Sequence, residues 1–313
     1  MEKNKKIAIL LPCYNESKTI VKVITDFRNE LPDATIYVFD NNSSDGSDEL
    51  AKKAKAILIK EKRQGKGFVV ASMLKKVNAD YYILADSDDT YPAEYCHALL
   101  KPLFEERADM VVGQRLSQYE KKAFPSMHFL GNKLICWIIN SIFHSHLTDP
   151  LSGYRAFTKE VAIQLPVVAS GFDIETELTL QMLYKHFIIQ EITIPYRARP
   201  EESHSKLNTF KDGWKISLKI LEILRSYKPL TFFGTIAIIC EIIALRYGIP
   251  PLTQLNQGQE ISFIPIITCS SLFVIGIFFA LIGIILNSLN FRLMEIMSAL
   301  EKQIYWIDKE KNE

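Results

Sequence analysis

The sequence lacks the patterns that define several common classes of protein. Its 5 cysteines are scattered and form no C-x-x-C pair, which argues against a zinc site or a disulfide framework and fits a reducing compartment. No G-x-G-x-x-G follows the first predicted strand, and no P-loop is present, so a dinucleotide-binding fold is disfavoured. The net charge of +1 over 313 residues gives no general indication of nucleic-acid binding. This length suits a soluble domain of roughly 200 residues and a smaller second part.

The N-terminus carries lysines followed by an apolar stretch, as a signal peptide does. The stretch covers only residues 7–13, is interrupted by Pro12, and is followed by Asn15 and Glu16 without a small-residue cleavage site. A signal peptide is the alternative, but length and composition favour a first β-strand.

Charged residues are missing from one long segment near the C-terminus, residues 261–291. A membrane span needs about 20 apolar residues, and this segment exceeds that length. Residues 229–245 are long enough for a second span if Glu241 is tolerated. We predict a hairpin of two transmembrane helices within residues 229–289, at about 229–249 and 263–289. The alternative is one span and a buried core helix.

Basic residues set the predicted orientation of this hairpin. They cluster before the first span, whereas the loop between the spans has only Arg246. The positive-inside rule then places the N-terminal domain, both termini and a tail at 290–313 in the cytoplasm. Residues 210–228 have the pattern of an amphipathic helix at the membrane surface, although a core helix fits it too. The clustered residues are Lys211, Lys215, Lys219, Arg225 and Lys228.

Apolar, β-rich runs alternate with helical patterns through the N-terminal part of the chain. This alternation predicts βαβ units and a parallel sheet. Polar residues follow three of the predicted strands, and in open α/β sheets ligands bind at the carboxyl ends of the strands. These strand ends therefore predict one site. The predicted strands are 6–12, 34–40, 56–61 and 81–86, and the helices are 17–31, 47–54 and 65–77.

The motif "DSDD" ends the strand "YYILAD" with three carboxylates. Asp86 and Asp88 are separated by one residue, so both can reach one Mg²⁺ or Mn²⁺, ions that prefer oxygen ligands. Magnesium usually takes one or two carboxylates and completes its shell with substrate phosphates, which points to a diphosphate partner. The alternative is a solvated acidic turn.

Three further loops carry weaker signals. "LPCYNES" and "FDNNSSDGS" follow strands one and two, and "SSDGS" also fits a plain turn with a helix N-cap at Ser47 or Asp48. "KRQGKG" joins a strand to a helix, where its glycines let the backbone approach a ligand and Arg63 and Lys66 add positive charge. None of these loops identifies a function alone.

In order, the motifs resemble those of the family 2 glycosyltransferases with the GT-A fold. They are "LPCYNE", "DNNSSDGS", "RQGKG", "DSDD", "VVGQR", "DPLSGYRAF" and "GFDIETELTL". More narrowly, the chain is similar to polyprenyl-phosphate glycosyltransferases of the dolichol-phosphate-mannose-synthase type. The resemblance covers residues 7 to 213 and implies an α/β GT-A domain, which we place at 1–209, with a mostly parallel sheet and a trailing membrane hairpin.

The resemblance also implies roles for individual residues. Pro12, Tyr14, Glu16 and Asp40 would form the nucleotide pocket, with Lys66 and Asp86 completing the donor site. Asp86 and Asp88 would be the metal-binding pair. Many relatives have two adjacent acids after strand two, whereas this chain has Asn41 at the second position. This difference leaves open which nucleotide base the site recognises.

Cations near the predicted acceptor site decide between two kinds of acceptor. A sugar hydroxyl needs a general base, whereas a lipid phosphate is already anionic at neutral pH because its second pKa is near ~6. Arginine forks bind phosphate well, although each of these cations, taken singly, fits a surface ion pair. Asp149 would be a base or orient Arg155, or else cap the turn at Pro150. The predicted acceptor-phosphate cations are Arg115, Lys133, Arg155, Arg197 and Lys206, and the predicted catalytic residues are Asp88, Asp149 and Arg155.

Two acids in "GFDIETEL", Glu175 and Glu177, either face the site or interact only with a helix dipole. Taken together, the sequence predicts a membrane-anchored, metal-dependent, inverting transferase that moves a sugar from a nucleotide-diphosphate sugar to a polyprenyl phosphate. The alternatives are a family 2 enzyme that extends a glycan or glycolipid, and a non-catalytic nucleotide-sugar-binding membrane scaffold. The sugar, the base and the lipid length stay open, as does a homo-oligomer.

Overall fold

The computed structural model describes residues 5–115, 126–165, 174–197, 221–222, 224–257, 260 and 262–312, with side chains left out at 126–132, 301 and 304–312. The chain divides into two compact units, Met1–Asp212 and Gly213–Glu313. The predicted helix at 210–228 lies largely outside the described residues, as does Lys206.

The first unit is built on a sheet of 7 strands in the order β3-β2-β1-β4-β6-β5-β7. Neighbouring strands are parallel except around β6, which runs antiparallel to β4 and β5. The mostly parallel α/β sheet predicted from the sequence is therefore confirmed. The strands are β1 Ile7–Cys13, β2 Thr35–Asp40, β3 Ile57–Lys60, β4 Tyr81–Leu84, β5 Met110–Gln114, β6 Arg155–Thr158 and β7 Ile189–Thr193.

Helices cover both faces of this sheet, because alternate residues of the central strands point to opposite sides. Ile9 of β1 joins a core with Phe27 of α1, whereas Leu10 joins a second core with Met73 of α3. Each such fully buried side chain contributes roughly 1.5–3 kcal/mol. The helices are α1 Ile20–Glu30, α2 Ser47–Lys53, α3 Lys66–Lys76, α4 Cys96–Phe104, α5 Ser126–Phe143, α6 Lys159–Gln164 and α7 Ile174–Tyr184, with a short 3-10 helix at Ala93–Tyr95.

The second unit contains two long helices, α8 Pro229–Asn256 and α9 Phe263–Asn312, that pack against each other through glycines. A Cβ on Gly276 would lie 3.3 Å from the carbonyl oxygen of Ala237, and one on Gly283 would lie 3.4 Å from Cα of Leu230. Small residues allow such close approach of helices. Residues 229–256 and 263–300 are long and apolar enough to cross a membrane.

Both helices extend beyond the predicted spans. The sequence predicts an end near residue 249, yet Pro250 and Pro251 lie inside α8. The φ angle of proline is compatible with a helix, and the cost is the missing N–H and crowding of the preceding turn. Similarly, α9 continues to Asn312 through the predicted tail.

Candidate active site

Most functional residues predicted from the sequence lie at one edge of the sheet, which we call the strand-end edge. Here β1, β2, β4, β5 and β7 end, and β6, because it is antiparallel, begins. Cys13 at the end of β1 lies opposite Asp40 at the end of β2. The predicted nucleotide residues Pro12, Tyr14 and Glu16 belong to the end of β1 and the loop after it. The fold thus brings this predicted set to neighbouring loops.

The loops after β1 and β2 are joined by hydrogen bonds between backbone and side chains. The backbone N–H of Glu16 donates to Ser47 Oγ (2.8 Å), and that of Ser17 donates to Asp45 Oδ2 (2.9 Å). Although burial raises the pKa of Asp45, hydrogen bonds from Ser47 and Ser17 outweigh it and lower this pKa. From the sequence, "SSDGS" fitted either a site motif or a plain turn with a helix N-cap at Ser47 or Asp48. In the structure Ser47 is already the first residue of α2, and the segment fastens two loops together.

Asn41 holds the loop that leads into α3. Its Nδ2 donates to the carbonyl oxygens of Glu61 (3.0 Å) and Arg63 (2.7 Å), and its Oδ1 accepts from the N–H of Gly65 (2.8 Å). An ionised aspartate could accept the third bond but could not donate the first two. The residue that departs from the pattern of the relatives is therefore suited to this loop.

Lys66, the first residue of α3, forms what we call the lysine bridge with Asp86 and Glu175. Its Nζ lies 2.5 Å from Asp86 Oδ1 and 2.5 Å from Glu175 Oε1. The three side chains are 17%, 26% and 11% exposed, respectively. Burial alone would lower the pKa of Lys66, but the two carboxylates outweigh it and raise the pKa. Lys66 is therefore a permanent positive charge beside the first aspartate of "DSDD".

The other two aspartates of "DSDD" have different partners. Asp88 Oδ1 accepts from the hydroxyl (2.6 Å) and the N–H (3.2 Å) of Thr90. Asp89 forms ion pairs with Lys22 (2.6 Å) and Arg197 (3.5 Å). Asp89 thus anchors the chain around it and is occupied, whereas Asp86 and Asp88 are the pair predicted to bind metal.

The residues present fit an open metal site. Among the side chains described, no group of three or more His, Cys, Asp and Glu is arranged to hold a metal ion. Mg²⁺ and Mn²⁺ in nucleotide sites need only one or two carboxylates, because phosphates complete the shell. The backbone also leaves room, since a Cβ on Gly153 would lie 2.9 Å from Asp86 Oδ2. Asp86 and Asp88 would hold such an ion.

Asp149 pairs with Arg115, whereas the sequence left open a base, a partner of Arg155 or a cap of the turn at Pro150. Arg115 Nε donates to Asp149 Oδ2 (2.8 Å) and Nη2 donates to Oδ1 (2.9 Å), while the Asp149 side chain is 0% exposed. The loop is fixed further by Glu191 of β7, which accepts the N–H groups of Thr148 and Asp149 (both 2.8 Å). Both carboxylate oxygens of Asp149 are engaged, so it orients Arg115 and is poorly placed as a base.

Arg155 is buried, which corrects its prediction as an acceptor-phosphate and catalytic residue. Its side chain has no exposed surface, and its guanidinium donates to the carbonyl oxygens of Ser152 (2.8 Å) and Pro150 (2.6 Å). Burial lowers the pKa of Arg155 to about 10. Because no phosphate could reach it without displacing these bonds, Arg155 shapes the 149–154 loop from behind.

The remaining predicted acceptor cations are spread apart. Arg197 is held by Asp89 and by Glu94, whose Oε1 lies 3.1 Å from its Nη2. Lys133 is an exposed residue of α5. Arg115 alone among the described members lies at the end of a strand of the edge and keeps a partly exposed side chain, at 12%. The described members of the predicted set therefore differ in their partners and in their exposure.

Two residues that sequence reasoning missed complete the site. The hydroxyl of Tyr91 accepts the N–H of Gly153 (2.9 Å), and the ring of Tyr91 packs edge-on against Tyr196, with centroids 5.4 Å apart. The guanidinium of Arg115 lies over the ring of Tyr196 at 5.4 Å. The sequence signal for Tyr91 was its position just after "DSDD", because a tyrosine there can pack its ring against apolar groups and form a hydrogen bond through its hydroxyl.

Comparison with known proteins identifies the family. Residues 8–165 match the model of Glycosyl transferase family 2. Glycosyltransferase AglJ of Haloferax volcanii is 33% identical over 231 residues, which cover 74% of this chain and 76% of that protein. The dolichyl-phosphate hexose transferase of the same organism is 26% identical over 217 residues, covering 69% of this chain and 93% of that one. The chain belongs to glycosyl transferase family 2.

A solved structure supports the fold. The glucosyl-3-phosphoglycerate synthase of Mycobacterium tuberculosis, in complex with Mn²⁺, UDP and glucosyl-3-phosphoglycerate, superposes with a TM-score of 0.57 at 20% identity. The match covers 72% of this chain and 80% of that one. The GT-A fold predicted from the sequence is confirmed.

Proposed function

We propose that this protein transfers a sugar from a nucleotide-diphosphate sugar to a polyprenyl phosphate, with inversion and with a divalent cation. The state of Asp149 is the observation that carries the choice of acceptor. A hydroxyl acceptor needs a base. Asp149 is the carboxylate predicted from the sequence as a base, and both of its oxygens accept hydrogen bonds from Arg115. A phosphate acceptor is already anionic and needs orientation instead. The similarity to a dolichyl-phosphate hexose transferase supports the same choice.

The donor side of the proposal divides between two sets of residues. The loops after β1 and β2, with Tyr14, Glu16 and Asp40, would hold the nucleoside. Mg²⁺ or Mn²⁺ at Asp86 and Asp88 would neutralise the departing diphosphate. Lys66 would add a second positive charge next to the same group, since its ammonium lies 2.5 Å from Asp86.

On the acceptor side, Arg115 is the cation best placed to meet a phosphate. Asp149 fixes its planar fork from behind, and Tyr196 lies under its face. A guanidinium held in this way loses little freedom when it binds a further anion. Lys133, Arg197 and Lys206 are proposed only as secondary contacts.

Purified full-length protein in detergent, supplied with a panel of sugar nucleotides, tests the proposal. Undecaprenyl or dolichyl phosphate should give a glycosylated lipid, identified by mass. The matched control is the same polyprenyl alcohol without phosphate, which should give no product. Product on a soluble glycan or glycolipid, with none on any polyprenyl phosphate, would establish the glycan-extending alternative. Nucleotide-sugar binding with no turnover on any acceptor would favour a scaffold.

We also propose that α8 and α9 cross the membrane as a hairpin, with the first unit and both termini in the cytoplasm. Their length and apolar composition support this, as do the basic residues before the hairpin. Single cysteines at Gln257 and Lys62, in a background without native cysteines, should react on opposite sides of intact vesicles. Labelling of both from the same side would contradict the hairpin.

A further inference from the structure

The lysine bridge places a protein cation on one oxygen of Asp86, the first of the two aspartates proposed to bind a metal ion. Lys66 Nζ contacts Asp86 Oδ1 at 2.5 Å, and the other oxygen of this carboxylate faces Gly153, where a Cβ would lie 2.9 Å away. A divalent cation that approaches Oδ1 therefore competes with the ammonium of Lys66. Two positive charges at this separation repel each other unless an additional negative charge is close.

Glu175 supplies that additional negative charge from the start of α7. Its Oε1 lies 2.5 Å from the same Nζ, so Lys66 keeps one ion-pair partner when Asp86 is taken by another cation. The neighbouring Glu177 differs, because it accepts a hydrogen bond from Gln181 of its own helix (2.9 Å). Only one of the two acids predicted at this helix start reaches the lysine bridge among the described contacts.

We propose that Glu175 is a positioning residue that retains Lys66 when a divalent cation takes Asp86. This inference rests on the proposed function, because it concerns the order in which charges change partners at the donor site. Without the metal, Lys66 neutralises both carboxylates. With it, Lys66 turns to Glu175 and to the donor diphosphate, and the site never holds an unpaired buried ammonium. Glu175 thereby sets how much metal the enzyme needs.

Two substitutions should shift metal binding in opposite directions. Lys66→Met removes the competitor, so Mn²⁺ should bind Asp86 about tenfold more tightly in the absence of donor. Glu175→Gln removes the alternative partner of Lys66, so Mn²⁺ should bind about tenfold more weakly. A substitution that merely loosens the fold would weaken binding in both cases.

The double variant Lys66→Met/Glu175→Gln separates an indirect role of Glu175 from a direct one. If Glu175 acts through Lys66, the double variant should bind Mn²⁺ within about threefold of Lys66→Met. If Glu175 ligates the metal itself, Glu175→Gln should weaken binding by the same factor in both backgrounds, which would overturn the inference. The matched control is Lys60→Met, which removes a surface lysine paired with Asp48 at 2.8 Å. This substitution should leave the affinity for Mn²⁺ unchanged.

The measurement is a titration of the donor-free full chain in detergent, with free Mn²⁺ followed by electron paramagnetic resonance. Circular dichroism checks folding, and Lys66→Gln replaces Lys66→Met if the latter does not fold. With donor and acceptor present, Glu175→Gln should raise the Mn²⁺ concentration for half-maximal transfer and leave kcat at saturating metal within about threefold.

Unchanged Mn²⁺ affinity in both single variants, or no Mn²⁺ binding by Lys66→Met, would overturn the inference. Because the titration contains no acceptor, a wrong acceptor assignment would leave its result unaffected.

Discussion

The two halves of the strand-end edge are built from different interactions. The half after β1 and β2, which we call the hydrogen-bonded half, joins its loops through neutral groups: the N–H of Glu16 donates to Ser47 Oγ, and the side-chain amide of Asn41 donates to two carbonyl oxygens. The half after β4 and β5, which we call the charged half, rests on the lysine bridge and the pair of Arg115 with Asp149. Neutral bonds contribute about 0.5–1.5 kcal/mol each, whereas breaking one partner of a buried ion pair costs about 3–5 kcal/mol. The charged half should therefore tolerate substitution least.

Removing the second aspartate of the predicted metal pair should have the largest effect. Asp88→Asn should lower kcat at least about 100-fold, because metal stabilisation of a leaving diphosphate amounts to several kcal/mol. Chelation should silence the wild type, and added Mn²⁺ or Mg²⁺ should restore it. Transfer is measured with the donor and lipid panel. Full activity in excess chelator would show that transfer does not require a metal ion.

Breaking the buried pair on one side should mainly destabilise the fold. Asp149→Asn leaves the Arg115 guanidinium uncompensated and should lower the free energy of unfolding by about 3–5 kcal/mol. The double variant Asp149→Asn/Arg115→Met removes both charges and should recover much of this loss. Denaturant unfolding gives the values. The control in the hydrogen-bonded half is Ser43→Ala, which removes the neutral bond from the N–H of Asn15 to Ser43 Oγ (3.0 Å) and should cost about 1 kcal/mol. Equal losses of stability in Ser43→Ala and Asp149→Asn would contradict the difference between the halves.

Within the hydrogen-bonded half, Asn41 is the position to change. Asn41→Asp keeps the shape but cannot donate to the carbonyl oxygens of Glu61 and Arg63, so the loop before Lys66 should loosen. We expect the KM for donor to rise about tenfold, equivalent to about 1.4 kcal/mol. Asn42→Asp is the matched control, because Asn42 is exposed and its amide contacts Lys62 and Gln64 at the outer side of the loop. A similar KM in both variants would contradict the role of Asn41.

The smallest expected effect is a pH dependence from Glu61. Hydrogen bonds from Arg63 lower the pKa of Glu61 from 4.5 to about 2. Because the folded pKa is below the unfolded one, the stabilisation is complete above pH 4.5 and is lost as the pH falls towards 2. Arg63 is exposed, so solvent screens the pair and the contribution to stability is small. Wild type and Glu61→Gln should differ in Tm at pH 7, differ less at pH 3, and converge near pH 2. A constant difference across this range would assign the effect to packing.

Local patterns were enough to predict the first 4 of the 7 strands and the mostly parallel sheet. Alternating strands and helices, with Asp40 and Asp86 at strand ends, fix which loops meet. The pairing of distant charges was not predictable in the same way, because Lys66 and Glu175 are 109 residues apart. Arg155 was assigned to the acceptor site since it is an arginine in a recognised motif, and nothing local to "SGYR" indicates that it is buried. The burial of Arg155 and the pairing of Lys66 with Glu175 arise only when the strands and helices pack together. Local strand and helix propensities therefore cannot predict them.

The reversed direction of β6 has a consequence for how this enzyme could diversify. Had β6 been parallel, its 4 residues would separate the 149–154 loop from the strand-end edge by about 13 Å, at roughly 3.3 Å per residue. The reversal delivers the start of a strand, and the loop before it, to a place otherwise reached only by strand ends. The loop with Asp149 and Gly153 thus enters the site from the opposite chain direction to the loops proposed to hold the donor. We expect that lengthening or replacing the segment before Asp149, which belongs to no strand of the sheet, would change this side of the candidate site and leave the pairing of β1 with β2 as it is.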